Sequence, residues 1–474
     1  MSTQRRIRPS EEPQDVASQR SKVSALGATA KKLAIAQSRI LKLSLVVRIL
    51  SIIFLIISSQ LIQAFDTSHT LLSYSLDPST SHSLSSGAFN WLLAFVRWDT
   101  IYFLSSAAPT SLNTIHTGGY AWEQTLAFQP GIIAILRACG YVTPEMDGRW
   151  SPTAAILLTT LLGNVLAVVS PVLLHRLVWK LTRNAELAYT AAVLSIFAPS
   201  AGTTLAAATP ESFFSFACLM GLLALESGTK PALGWAQVME ASFWFSIATA
   251  FRSNGMLLIG YVWFKLLRER NVIGILKLIL STAICIAPGV GFQLWAYTRF
   301  CLAGSGRSWC SSSPPSVYAF VQRHYWNVGF LRYWELAQVP NFLLALPVLV
   351  GIAYTVHTFY RDSSFSQIMT SANPLIPPGA TTIRSKSEGL SHTSTPAATP
   401  YIIHSMVLGV LLLFASHVQI ALRFATPGGV PALWIGAAHA VLYAKPWVRR
   451  LVVGYLALQY VVAIGLYAGF YPPA

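Results

Sequence analysis

The chain reads as an all-α polytopic membrane protein, and three observations predict this. Of 474 residues, 54% are hydrophobic and only 11% charged, against roughly 25% charged in an ordinary soluble domain. Apolar runs near the length a bilayer demands recur from about residue 43 to the end. The basic residues behind the net charge of +16 fall mostly in short stretches between those runs. That is the positive-inside pattern, and it excludes a nucleic-acid footprint as the default reading.

Residues 1–42 form a polar, basic tail with Arg5, Arg6, Arg8, Arg20, Lys22, Lys31, Lys32 and Arg39. The first apolar run begins only near Leu41 and is long enough to span, so it is expected to stay as a signal anchor with a cytosolic N-terminus. A first span over about 43–63 then carries the chain across the membrane. The Ser- and Thr-rich segment 64–89 reads as a solvated loop. A short helix over 87–106, a turn region with Pro109 and Gly118-Gly119, and the segment 120–140 follow it.

With 87–106 and 120–140 taken as interfacial or re-entrant pieces of a first lumenal region, 64–150, the remaining spans fall at 152–174, 187–208, 211–227, 233–250, 255–267, 273–297, 336–359, 401–422, 430–444 and 450–470. That makes about eleven transmembrane helices by the length criterion. The loops left in the cytosol hold His175, Arg176, Lys180 and Arg183; Lys230; Lys265, Arg268 and Arg270; Arg361, Arg384 and Lys386; and Lys445, Arg449 and Arg450. They obey the positive-inside rule loop after loop. The membrane domain is therefore 43–474, with an aromatic lumenal loop over 298–335. Residues 361–399, full of Ser, Thr and Pro, read as a flexible cytosolic linker. No internal repeat is visible, which weighs against repeat-built transporters.

On this topology one face collects polar groups that lipid would not select: Asp99, Glu123, Glu211, Arg252, Arg423 and the loop from Arg299 to Glu335. Ionisable residues at membrane depth are candidates for a functional site. Each also has a plainer reading. Arg97, Trp98 and Asp99 suit an interfacial anchor, and Glu211 after Pro210 suits a helix start. Arg252-Ser253-Asn254-Gly255 suits a turn. Arginine on the disfavoured side makes sense where an anionic group such as a phosphate must be held. Cys139, Cys218 and Cys285 sit in apolar surroundings and read as small hydrophobes. In an oxidising lumen Cys301 and Cys310 can close a short loop; the alternative is two free thiols in a packed loop.

The blocks Arg97-Trp98-Asp99, Gly119-Tyr120 with Glu123, Pro210-Glu211-Ser212, Arg252-Ser253-Asn254-Gly255, Tyr325-Trp326-Asn327-Val328-Gly329-Phe330 and Gln338-Val339-Pro340-Asn341-Phe342 stand in one order. Together with Pro472-Pro473-Ala474 at the end, they resemble the PIG-V family, the second mannosyltransferases of glycosylphosphatidylinositol (GPI) anchor synthesis. Gln124 and Gln129 stand where that family has His and Phe, so no role is carried to those positions.

The resemblance implies a GT-C glycosyltransferase of the endoplasmic reticulum with its site in the lumen. Such an enzyme moves mannose from dolichyl phosphate mannose, in α-1,6 linkage and with inversion, onto the first mannose of a mannosylated glucosaminyl-phosphatidylinositol. Inversion calls for one carboxylate as base. Asp99 is the candidate, with Glu123 orienting it or the acceptor. Arg252 and Arg332 would hold the departing phosphate, and Arg97, Trp98, Glu211, Asn254, Tyr325, Trp326 and Asn327 would line the substrate. No cofactor is implied, and the sequence holds no Asp-x-Asp pair and no His cluster at ligand spacing for a metal. A small membrane partner subunit is a further expectation from fungal members. Rival readings are another dolichol-phosphate-sugar transferase of the same fold, which should carry a larger lumenal domain, and a transporter or flippase.

Overall fold

The computed structural model describes residues 12–65, 87–109, 119–120, 123–142, 150–228, 232–302, 306–376, 390 and 395–471. Lys230, Arg384, Lys386, the first residues of the basic tail, most of 64–89 and the Pro472–Ala474 ending lie outside them. Among the described residues every regular element is helical. In chain order these are α1 (Glu12–Leu61), α2 (Asp99–Ala107), α3 (Pro130–Gly140), α4 (Pro152–Thr182), α5 (Ala185–Ile196), α6 (Glu211–Leu225), α7 (Trp235–Phe251) and α8 (Ile259–Leu267). They continue as α9 (Val272–Phe300), α10 (Val317–His324), α11 (Val339–Tyr360), α12 (Phe365–Ala372), α13 (Thr399–Phe414), α14 (Ala421–Phe424), α15 (Pro431–Tyr443) and α16 (Pro446–Ala468).

The helix starts follow local chemistry. Ser151, Asn184, Asn271 and Ser316 each accept a backbone N–H of the first turn, and proline sits in the first turn of α3, α4, α15 and α16. A side-chain oxygen satisfies an otherwise orphaned donor there, and proline has no donor to lose.

Among the described residues, 6 helical stretches are long and apolar enough to cross a membrane: Gly27–Leu61, Pro152–Thr182, Val272–Phe300, Leu336–Tyr360, Pro396–Phe414 and Pro446–Ala468. The other expected spans fall on shorter helices, α5, α6, α7, α8 and α15. Of these α5, α6 and α15 are largely enclosed, α6 lying on α7 and α4 and α15 on α5, α11 and α16, whereas α7 and α8 keep side chains such as Phe243 and Trp263 at the surface. A helix surrounded by other helices need not present about 20 apolar residues to lipid.

Three expected continuous elements are broken, one of them the span over 401–422, which ends at Phe414 and resumes only through the 3-10 turn Val418–Ile420 into α14. The span over 187–208 stops at Ile196, and residues 198–210 form buried turns rather than helix. Pro199 lacks the N–H that would continue the ladder. Non-helical backbone at this depth requires internal partners. Asn164 Nδ2 donates to the Ala206 carbonyl at 2.9 Å, Ser212 Oγ to that of Leu205 at 3.2 Å, and the Arg48 guanidinium to that of Ala201. The helix over 87–106 is likewise two pieces, a 3-10 helix Gly87–Phe95 and then α2. Between them Trp98 holds a left-handed φ of 51°, a strained conformation for a bulky side chain. The break makes Asp99 the first residue of α2.

Within the expected linker, α12 forms a short helix, started by Ser364 and Gln367 bonding reciprocally across its first turn. Residues 377–389 and 391–394 of the same stretch lie outside the described residues. The core beneath the polar end of the bundle joins Leu55 of α1, Phe103 and Leu104 of α2, Ile132 and Leu136 of α3, and Ile464 and Tyr467 of α16. A second cluster, with Leu126, Phe292, Trp309, Val317 and Val321, seats the loop between α9 and α11 on the 3-10 helix Glu123–Ala127.

Candidate active site

Four charged side chains from distant parts of the chain form one network. Asp99 opens α2 and Glu211 opens α6, where acids complement the helix dipole. Arg252 follows the last residue of α7 in extended backbone, and Arg423 sits on the one-turn helix α14. Arg423 Nη1 is 2.6 Å from Asp99 Oδ2, and its Nη2 and Nε are 2.6 and 2.7 Å from Glu211 Oε1. Arg252 Nη1 donates to the same Oε1, and its guanidinium lies 4.7 Å from the centre of the Phe424 ring.

Exposure rises along the network. The Glu211 side chain is 1% exposed, Arg423 15%, Arg252 14% and Asp99 32%. Two guanidiniums compensate the buried Glu211, which removal from water would otherwise penalise heavily. One of them reaches outward and orients Asp99 at the accessible end. The turn that follows α14 is pressed against α6: the Gly428 N–H donates to Ser215 Oγ at 2.9 Å, and a Cβ on Gly428 would lie 2.0 Å from the Ser215 carbonyl oxygen.

Glu123 belongs to a second cluster. Its Oε1 accepts from Trp309 Nε1 at 2.7 Å and Arg307 Nη1 at 3.1 Å, and its Oε2 from the Tyr325 hydroxyl at 3.0 Å. The hydrogen bond to the Glu123 carboxylate pushes the Tyr325 pKa up, with burial adding to it. Cys301 and Cys310 are joined in a disulfide, Cα–Cα 5.5 Å, closing the loop that carries Arg307 and leads to Trp309. Both oxygens of Glu123 are thereby committed to the loop between α9 and α11. Among the described residues Glu123 forms no ion pair with the Asp99 network.

The other expected residues divide. Trp326 packs on Phe128 with centroids 5.4 Å apart, and Phe128 meets Phe103 of α2 edge-on at 5.0 Å. This aromatic chain connects the loop to the helix that begins with Asp99. The Trp326 carbonyl accepts from His417 Nε2 at 2.5 Å, and the His417 ring stacks on Tyr333 at 4.6 Å. Burial pushes the His417 pKa down, partly offset by that carbonyl. Asn327 contributes a left-handed turn, φ 49°. Asn254 is half-buried, and its neighbour Ser253 bonds the Tyr318 hydroxyl at 2.8 Å.

Arg97 is placed elsewhere. It is 5% exposed, donates to the carbonyls of Leu93, Val96 and Ala468, and lies 4.5 Å from the centre of the Phe470 ring. It ties the α2 entry to the end of α16, with Trp98 packed near the same Phe470 ring at 6.2 Å. Arg332 is exposed and forms no ion pair among the described residues. Arg423 stood out in the sequence among the polar groups of this face, a lone cation in an apolar run with no role attached, whereas nothing marked Trp309 or His417.

A family model described as Mannosyltransferase (PIG-V) matches residues 37–474, a stretch that contains every residue of both clusters. The chain belongs to the PIG-V mannosyltransferase family. Relatives similar to this PIG-V chain include GPI mannosyltransferase 2 of Cryptococcus neoformans var. neoformans, 30% identical over 460 residues that cover 90% of this chain and 96% of that protein. Another is GPI alpha-1,6-mannosyltransferase 2 of Cricetulus griseus, 30% identical over 395 residues, 75% of this chain and 74% of that one. Among solved structures, the oligosaccharyltransferase of Archaeoglobus fulgidus tethered with an acceptor peptide aligns with a TM-score of 0.43 and 12% identity. It covers 89% of this chain and 55% of that chain. As a PIG-V mannosyltransferase, the protein is a membrane glycosyltransferase, and its polar cluster is the candidate for its chemistry.

Proposed function

We propose that this chain takes mannose from dolichyl phosphate mannose and places it, in α-1,6 linkage and with inversion, on the first mannose of the GPI-anchor precursor. The site faces the lumen of the endoplasmic reticulum and the N-terminus faces the cytosol, in the GT-C architecture. The relative named GPI alpha-1,6-mannosyltransferase 2, matched over 75% of this chain, and the one named GPI mannosyltransferase 2, matched over 90%, support the acceptor and linkage. The positive-inside pattern supports the orientation.

The carrying observation is a carboxylate that is one-third accessible and gripped through one oxygen: Asp99, held at Oδ2 by Arg423. In the proposed step Asp99 takes the proton of the acceptor 6-hydroxyl while that oxygen attacks the anomeric carbon. The bond from that carbon to the phosphate oxygen breaks on the opposite face, and its electron pair leaves with dolichyl phosphate. Arg252, only partly engaged by Glu211, would stabilise the leaving phosphate, and exposed Arg332 is the second candidate. Arg423 orients the base, and Glu123 seats the aromatic loop over the acceptor. A small membrane partner subunit belongs to the same proposal, on the resemblance to fungal members.

Lipid analysis of a cell depleted of this protein tests the reading. Accumulation of a precursor with a single core mannose is expected, with transfer in isolated membranes depending on added dolichyl phosphate mannose. An unchanged precursor pool, or transfer from a nucleotide sugar with no lipid donor, would contradict it.

A further inference from the structure

We infer that Arg48, inside the first membrane span, is a positioning residue that acts with one bound water to hold the two backbone segments presenting Glu211 and Arg423. The inference rests on reading the Asp99 network as the catalytic centre. An arginine within a span is costly and seldom lacks a function. Arg48 is 7% exposed, and no acidic residue pairs with it among the described residues. Its Nη1 donates to the carbonyl of Ala201, in the buried turns that lead from α5 to Glu211. Its Nε finds no protein acceptor among the described residues.

Arg48 lines a cavity of about 10 Å³ together with Ser44, Ser170, Ser195, Ser215 and Pro427. That volume is close to the smallest that admits a single water, which needs two to four polar partners. The partners are present and correctly polarised. Ser170 and Ser195 donate to the carbonyls of Leu166 and Ala192, each at 2.8 Å, so their oxygens keep lone pairs free to accept. A water that accepts from the Arg48 guanidinium in this cavity can donate to these oxygens.

The cavity's position gives the water its role. Ser215 follows Glu211 by one helical turn, about 6 Å along the axis. Pro427 follows Arg423 by four residues, in the turn bonded to Ser215 through the Gly428 N–H. The cavity therefore lies one helical turn beyond Glu211 and four residues beyond Arg423, the side chain that holds Asp99 and is itself held by Glu211. Loosening it moves Glu211 and Arg423 together, and a small displacement of catalytic groups costs rate more than affinity.

The test compares Arg48→Met, Arg48→Lys and Ser170→Val in the full-length enzyme in membranes, with Asp99→Asn alongside. Arg48→Met is expected to lower kcat by roughly 10²-fold with KM for donor and acceptor nearly unchanged, and Arg48→Lys to restore most of the loss. Ser170→Val, which fills the cavity and leaves Arg48 in place, is expected to lower kcat in the same way while retaining the wild-type melting temperature. Wild-type kcat in Arg48→Met overturns the positioning role. A normal Ser170→Val enzyme overturns the water, and it does so even if Arg48→Met fails to accumulate. Activity retained in Asp99→Asn would remove the underlying reading of the network, an outcome distinct from either.

Discussion

Among the described residues Arg423 is the single side chain that touches both Asp99 and Glu211, with three of its nitrogens used at once. Lysine cannot reproduce that fork. Arg423→Met leaves the 1%-exposed Glu211 to Arg252 alone, and breaking a buried pair in this way costs about 3–5 kcal/mol. The expected outcome is a markedly lower melting temperature in detergent together with loss of transfer, and Arg423→Lys should recover stability better than rate.

Glu123 behaves differently, because its oxygens are spent on Arg307, Trp309 and Tyr325. Glu123→Gln is therefore expected to raise KM more than it lowers kcat, and steady-state kinetics on the two substrates would separate these effects. The Tyr325 hydroxyl has its pKa raised above the usual value of about 10. Its clasp on Glu123 therefore persists across neutral pH and is lost only as pH rises through that raised value. Asp99, Glu211 and Arg252 were legible as charges interrupting apolar runs. The bond from Arg423 to Asp99 spans 324 positions, and nothing local in either segment announces it. Arg97, an interfacial anchor by its local pattern and a substrate contact only by the family resemblance, is occupied by peptide carbonyls, which sequence patterns do not display.

At the level of elements, the departures from expectation are breaks in apolar runs that hydropathy reads as continuous. Trp98 interrupts the segment after the first span, and the turns after Ile196 interrupt the third. In both places tertiary packing decides the conformation, through Phe470 in one case and through Asn164, Ser212 and Arg48 in the other. Pro199 was the one local sign. These two breaks each end by setting a carboxylate on the first turn of a helix, Asp99 on α2 and Glu211 on α6, and a third, inside 401–422, sets Arg423 on α14. The disulfide-closed loop acts at the same scale. A double variant, Cys301→Ser with Cys310→Ser, removes a crosslink of the kind that contributes about 2–4 kcal/mol. It is expected to slacken the Arg307 and Trp309 grip on Glu123. Kinetics with and without reductant would show a raised KM in the reduced wild type and in the double variant alike, with the variant indifferent to reductant.

Across the whole molecule, composition and hydropathy were enough to read an all-helical membrane protein, because lipid-facing helices must be long and apolar to satisfy their backbone. The 6 long stretches follow that rule. The shorter helices α5, α6 and α15 escape it because other helices enclose them, so their lengths were not legible in the same way. Inside a bilayer such association depends on close packing and polar contacts more than on the hydrophobic effect. The buried turns, the Gly428 contact and the Arg48 cavity are features of that kind.

The central claim is that Asp99 is the base of mannose transfer, and the most direct measurement is the single-turnover rate of Asp99→Asn, with its Arg423 partner in place and protein levels matched. With Asp99 as the base, a fall of roughly 10²-fold or more is expected, with donor and acceptor binding retained and no rescue of anchored surface proteins in a cell lacking the enzyme. A wild-type transfer rate, or full rescue of those surface proteins, would contradict it.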